Sequence, residues 1–129
     1  MNYGYKKQTN HSFEDAVIKI KEELQNEGFG ILTEIDVKDT MKKKLNLNYE
    51  NYVILGACNP TLANKALGAE KEIGLLLPCN VIVYEEGGEV FVSAILPVVM
   101  MGMIGNPTLD EIAETAEAKL KRVIDNVAD

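Results

Sequence analysis

Two apolar runs, Val81–Tyr84 and Val90–Leu96, stand on either side of Glu85-Glu86-Gly87-Gly88-Glu89. A link this short, with two adjacent glycines, reads as a hairpin, because glycine reaches the positive φ that tight hairpin turns require. The two strands must then be antiparallel, since parallel neighbours need a crossover of a dozen or more residues. Whatever else the chain does, it has to be built around that antiparallel unit.

The rest of the chain alternates helical and extended periods. Ser12 followed by Asp15 is a capping pattern, and Phe13, Ala16, Val17, Ile20 and Leu24 recur at helical spacing up to Gly28. From Phe29 the period changes to two, with Phe29, Ile31, Ile35 and Val37 on one face and Glu34 and Asp36 on the other. Thr33 interrupts that pattern without overturning it. A short helix follows, started by Asp36 or Asp39, with Met41 and Leu45 turned inward and Asn46 near its end.

Tyr52–Ala57 is a continuous apolar run, read as a strand buried on both faces or near the sheet centre. Asn59 and Pro60 start the next helix as N-cap and first helical residue, and Gly68 closes it. Thr108 and Glu111 read as a capping box heading a long amphipathic helix that runs from Leu109 to Val127. With a first strand over 3–7, the order is β-α-β-α-β-α-β-β-α. This is an α+β fold, a mostly antiparallel five-stranded sheet with helices packed on one face.

At 129 residues with no repeat, linker or low-complexity segment, the expectation is a single domain, 1–129. The 13 basic and 20 acidic residues give a net charge of −7, which argues against nucleic-acid phosphates as partners. Lys42-Lys43-Lys44 falls near a helix end, where cations complement the dipole. The first residues, Met1 to Gln8, contain no apolar run, so a secretory signal is not expected and the cytoplasm is. The apolar run Ala94–Ile104 is about half a membrane span and holds Pro97 and Gly102, so no spanning helix is expected.

Chemistry rests on few residues. Cys58 lies just before the cap of a helix, where unsatisfied N–H groups and the positive end of the dipole favour a thiolate. Cys79 follows Pro78 and opens a strand. A small soft side chain filling a gap beside a buried strand is the favoured reading for both cysteines, and more so for Cys79. They are too far apart in sequence for a Cys-x-x-Cys redox pair, and in the cytosol they are expected to be reduced.

His11, the only histidine, sits in a polar stretch and reads as a surface residue, so a triad-type relay is not expected and no metal ligands are assigned. Pro97–Gly105 reads as an apolar loop whose Met100, Met101 and Met103 suit an interface or a pocket lid, with burial in the core and thioether ligation of Cu(I) or haem iron as alternatives. Glu85, Glu86 and Glu89 read as a solvated turn. Gly102-Met103-Ile104-Gly105 lacks both the Lys-Ser/Thr of a P-loop and the glycine spacing of a dinucleotide fingerprint. No cofactor and no reaction are named by these residues.

Taken together, Glu27-Gly28-Phe29-Gly30-Ile31-Leu32, Leu55-Gly56-Ala57-Cys58-Asn59-Pro60, Leu75 to Val81 and Gly105-Asn106-Pro107 resemble the domain-of-unknown-function family numbered 302, over nearly the whole chain. That family consists of small bacterial and archaeal single-domain proteins with no established activity. The resemblance implies a fold similar to that of the TATA-box-binding protein and assembly as a homodimer. Fold similarity of this kind carries no argument for DNA binding.

The positions carried over are Cys58, Asn59, Pro60, Pro78, Cys79 and Asn80. Leu96 before Pro97 departs from the acidic residue expected there in relatives, which puts a catalytic role for that loop in doubt. The expected function is a cytosolic homodimeric binding module for a small molecule. Cys58, Asn59, Cys79 and Asn80 would lie near its pocket, with the methionine loop at an interface. A thiol-dependent redox enzyme or sensor using Cys58 with Cys79 is the second reading, and soft-metal or haem binding is the third.

Overall fold

A computed structural model of the chain describes residues 2–129, and Met1 lies outside them. The strands are β1 (Gly4–Thr9), β2 (Gly30–Asp36), β3 (Tyr52–Cys58), β4 (Cys79–Glu86) and β5 (Glu89–Ile95). The helices are α1 (Phe13–Asn26), α2 (Val37–Leu45), α3 (Pro60–Ala69), α4 (Pro97–Gly102) and α5 (Pro107–Ala128), with a 3-10 segment over Lys71–Leu76. The sheet order is β1-β5-β4-β3-β2, and every neighbouring pair is antiparallel. The expected α+β class is what the chain adopts, and the arrangement is compatible with the TATA-box-binding-protein-like fold.

The β4–β5 hairpin turns at Gly87 and Gly88, both at positive φ. Strand alternation then sends Val81 and Val83 of β4 and Val90, Val92 and Ala94 of β5 to one face, where they are buried. There they meet Ala16, Ile20 and Leu24 of α1 and Leu120, Val123, Ile124 and Val127 of α5 in one core. A second, smaller core lies at one end of the sheet. It joins Ala66 of α3, Ile73 of the 3-10 segment, Met101 of α4 and Leu109, Ile112 and Ala113 of α5.

Local chemistry sets the helix starts. Ser12 accepts from Asp15 N–H at 3.1 Å and Asn59 accepts from Leu62 N–H at 3.2 Å, as the capping patterns require. The α5 cap is Asn106, which accepts from Thr108 N–H at 3.0 Å with Pro107 as the first helical residue, so the Thr108–Glu111 capping box is not what starts this helix. The side chain of Asn106 also donates to the Ala69 carbonyl at 3.1 Å, fixing the end of α3 to the head of α5. No helix among the described residues is long and apolar enough to cross a membrane.

Four local expectations are corrected. A bulge between Ile31 and Thr33 exchanges the faces of β2, so Ile31 lies on the helix side with Glu34, whose carboxylate meets Lys21 of α1 at 2.7 Å, and Ile35 lies opposite. The strand over 52–57 lies inside the sheet, between β4 and β2, but is not buried on both faces: Val53, Leu55 and Ala57 are buried, while Tyr52 and Ile54 on the other side are only half-buried. α2 is capped by Asp36, yet it buries no side chain, and Leu45 is 62% exposed. The segment after β5 is not a loop but the helix α4, started by Pro97.

On the opposite face of the sheet, Tyr52, Ile54, Ile82, Tyr84 and Phe91 are half-buried. Tyr52, Tyr84 and Phe91 are cross-strand neighbours there, and their rings stack with centroids 5.4 Å and 5.3 Å apart. Lys6 of β1 extends this ladder, its Nζ lying 5.2 Å from the Phe91 ring centre.

Candidate functional site

The chain crosses one end of the sheet at Gly30, Cys58, Cys79 and Ile95, and this is the end that carries its thiols. Ala57 pairs with Cys79, so Cys58 sits one residue beyond that pair, where β3 ends and α3 begins. Gly56 permits the approach: a Cβ there would lie 2.2 Å from Thr33 Oγ1 and 2.8 Å from Pro78 Cγ. Only glycine lets the segment entering β4 close down on β3 at this point.

Cys58 and Cys79 line one crevice of about 30 Å³, together with Asn59, Leu62 and Ala66, Pro78, Met101 and Ile112 among others. That volume holds about one water. Its wall is hydrocarbon and sulfur. Both thiols are free; Cys58 is half-buried and Cys79 is 8% exposed. Burial pushes the Cys79 thiol up to about 11, and the neighbouring Cys58 adds to that. At neutral pH Cys79 is a protonated thiol and a weak nucleophile.

Two larger recesses adjoin the crevice. A groove of about 250 Å³ shares Leu77, Pro78, Cys79 and Met101 with it and is further lined by Asn80 and Met100. On the other side, Leu62 and Ile112 are shared with an open cleft of about 620 Å³ between α3 and α5, which adds Lys65, Thr108, Glu111 and Thr115. The crevice thus shares wall residues with a largely apolar groove and with a cleft of mixed polarity.

Of the residues singled out in the sequence, Cys58, Asn59, Cys79 and Met101 come together at the crevice, and Asn80 and Met100 at the groove. Met103 does not join them and is 70% exposed. Asn59 holds structure as well as lining the site: its side chain donates to the Glu27 carbonyl at 3.5 Å, tying the end of α1 to the start of α3. Glu27 is itself clamped by Arg122 at 3.0 and 2.9 Å, and those hydrogen bonds hold its carboxyl below the usual range, with Lys119 adding to the effect. Leu96 offers no side-chain cap to α4, and Glu117 of α5 accepts from Val98 N–H at 3.2 Å instead. Sequence reasoning missed Leu62, Ile112, Lys65 and Thr115; the signal was their helical spacing, which does not say that α3 and α5 face each other.

The family model for the domain of unknown function DUF302 matches residues 5–127. A crystal structure of the uncharacterized conserved protein DUF302 from Bacillus stearothermophilus is similar to this chain at 29% identity, covering 100% of both chains with a TM-score of 0.92. No curated protein matches the chain. The chain belongs to the DUF302 family.

Proposed function

We propose that this family member is a cytosolic single-domain binding module for a small molecule, with the crevice as the floor of its site and Cys58 and Cys79 in the wall. The observation that carries the reading is that three recesses of different polarity converge on that floor. The crevice alone is far below the roughly 300–1,000 Å³ that organic ligands occupy, whereas the cleft between α3 and α5 falls within that range. A ligand with an apolar end against Leu62 and Ile112 and a polar end at Lys65, Thr108 and Thr115 matches the lining.

The methionine methyl groups test this directly. In protein labelled with carbon-13 at those methyls, an amphipathic fragment library is expected to yield compounds that shift Met101, and Met100 less, while Met41 on α2 stays fixed. A library that moves none of them, or moves Met41 as much, overturns the reading.

The module is proposed to act as a homodimer. Support comes from the open face of the sheet, where Ile54, Ile82 and the aromatic ladder stay only half-buried in one chain. Sedimentation at micromolar concentration is expected to give a dimer, and a monomer at all such concentrations overturns it. A thiol redox role for Cys58 with Cys79 is the second reading, favoured by their convergence on one crevice. It requires the Cys58→Ser variant to lose peroxide-induced oxidation of Cys79.

A further inference from the structure

We propose that Cys58, Cys79 and Met101 form a three-sulfur site for a single Cu(I) ion in the crevice at the thiol end of the sheet. Three sulfur side chains from three separate elements, β3, β4 and α4, line the same recess. At about 30 Å³ that recess excludes an organic ligand yet accommodates one ion. The rest of its wall is almost entirely hydrocarbon, so the sulfurs are the donors an ion there would find.

Donor chemistry selects the ion. Thiolate and thioether are soft ligands and favour Cu(I), whereas Zn(II) takes four ligands drawn from cysteine, histidine and carboxylate. No group of three or more His, Cys, Asp or Glu side chains suited to a metal exists among the described residues. Two cysteines and a methionine therefore fall short of a zinc site but meet the needs of a three-coordinate copper site.

Placement supports the assignment from two directions. Cys58 follows Ala57, the strand partner of Cys79, at the point where β3 ends, and both cysteines line the same crevice. Cys58 also precedes Asn59, the N-cap of the 10-residue helix α3, so the positive end of that helix offsets the negative charge of a centre with two thiolates. Met101 adds an unbranched, adaptable thioether chain to the same wall. On coordination each thiol proton leaves to solvent, two per ion, and no electron is transferred. The proposal goes beyond the ligand reading above, which rests on the groove and the cleft rather than on the sulfurs.

The test is an anaerobic titration of the reduced full chain with Cu(I), read by thiolate-to-copper absorption in the near ultraviolet and by competition with a Cu(I) chelator. One copper per chain is expected, lost entirely in Cys58→Ser. Met101→Leu should bind about tenfold more weakly, the lower end of what removing a supporting partner does to metal affinity. Met103→Leu should bind as the parent does. Full binding by Cys58→Ser, an equal effect of Met103→Leu, or no copper held against the chelator overturns the proposal. Cys58 is half-buried, so its serine variant keeps the fold testable by circular dichroism even if Cys79→Ser unfolds. The methionine-methyl screen is run without copper, so its outcome and this one are separable.

Discussion

The two faces of one sheet differ in every respect that matters for stability. On β5, Val90, Val92 and Ala94 point into the core under α1 and α5 and are buried, while the intervening Phe91 and Ser93 point the other way and are half-buried. The same backbone and the same hydrogen-bond ladder serve both sides. The covered side holds small, branched side chains whose shapes must interlock with two helices. The open side holds large rings that need only their neighbours on adjacent strands. Fold stability therefore resides mainly on one side of the sheet.

Substitutions can break that contrast. The largest effect is expected from Val92→Asp, which buries an unpaired charge beneath two helices and should leave no cooperative thermal transition. Leu120→Ala, on the α5 surface facing the same core, should lower stability by about 2–5 kcal/mol in urea denaturation. Tyr84→Ala removes the middle ring of the open ladder and is expected to cost about 1 kcal/mol, well below the covered face. An open-face variant as damaging as Leu120→Ala would erase the distinction.

Acid sharpens the account with a smaller effect. Glu27 is held below its usual range first by Arg122, and Asp125 first by the hydrogen bond from Lys7 and then by that from Tyr5. Each carboxylate is depressed in the folded state, so its contribution is complete above the unfolded value of roughly 4 and fades as pH falls through the lower folded value. The melting temperature should therefore decline below about pH 4, and Glu27→Gln should flatten that decline. An unchanged slope in the variant would remove Glu27 from the explanation.

Much of the frame was legible in the sequence because it depends on short-range rules. The paired glycines announced the hairpin, Asn59-Pro60 announced α3, and the stripes of α1 and α5 announced the covered core. Where those rules fell short, a local signal was ambiguous. The bulge at Ile31 to Thr33 reverses a face with a single extra residue, and Pro97 starts a helix as readily as it ends a strand. The 3-10 segment carrying Ile73 is too short for a period to emerge.

The site was less legible, since its parts meet only through strand register and helix packing. Nothing in the spacing of Cys58 and Cys79 says that Ala57 pairs with Cys79. The methionines read as one apolar loop, but the turn of α4 sends Met101 into the smaller core and Met100 to the groove, with Met103 left in solvent. Three methionines within four positions thus occupy three different environments.

The two thiols share one narrow crevice but differ sharply in access, a difference that alkylation of the native reduced protein near pH 8, resolved by peptide mass spectrometry, reads out site by site. Cys58 should be modified in the folded state while Cys79, 8% exposed and with its thiol pushed up to about 11, should react only after unfolding. Equal reaction of the two cysteines in the folded protein would contradict that difference.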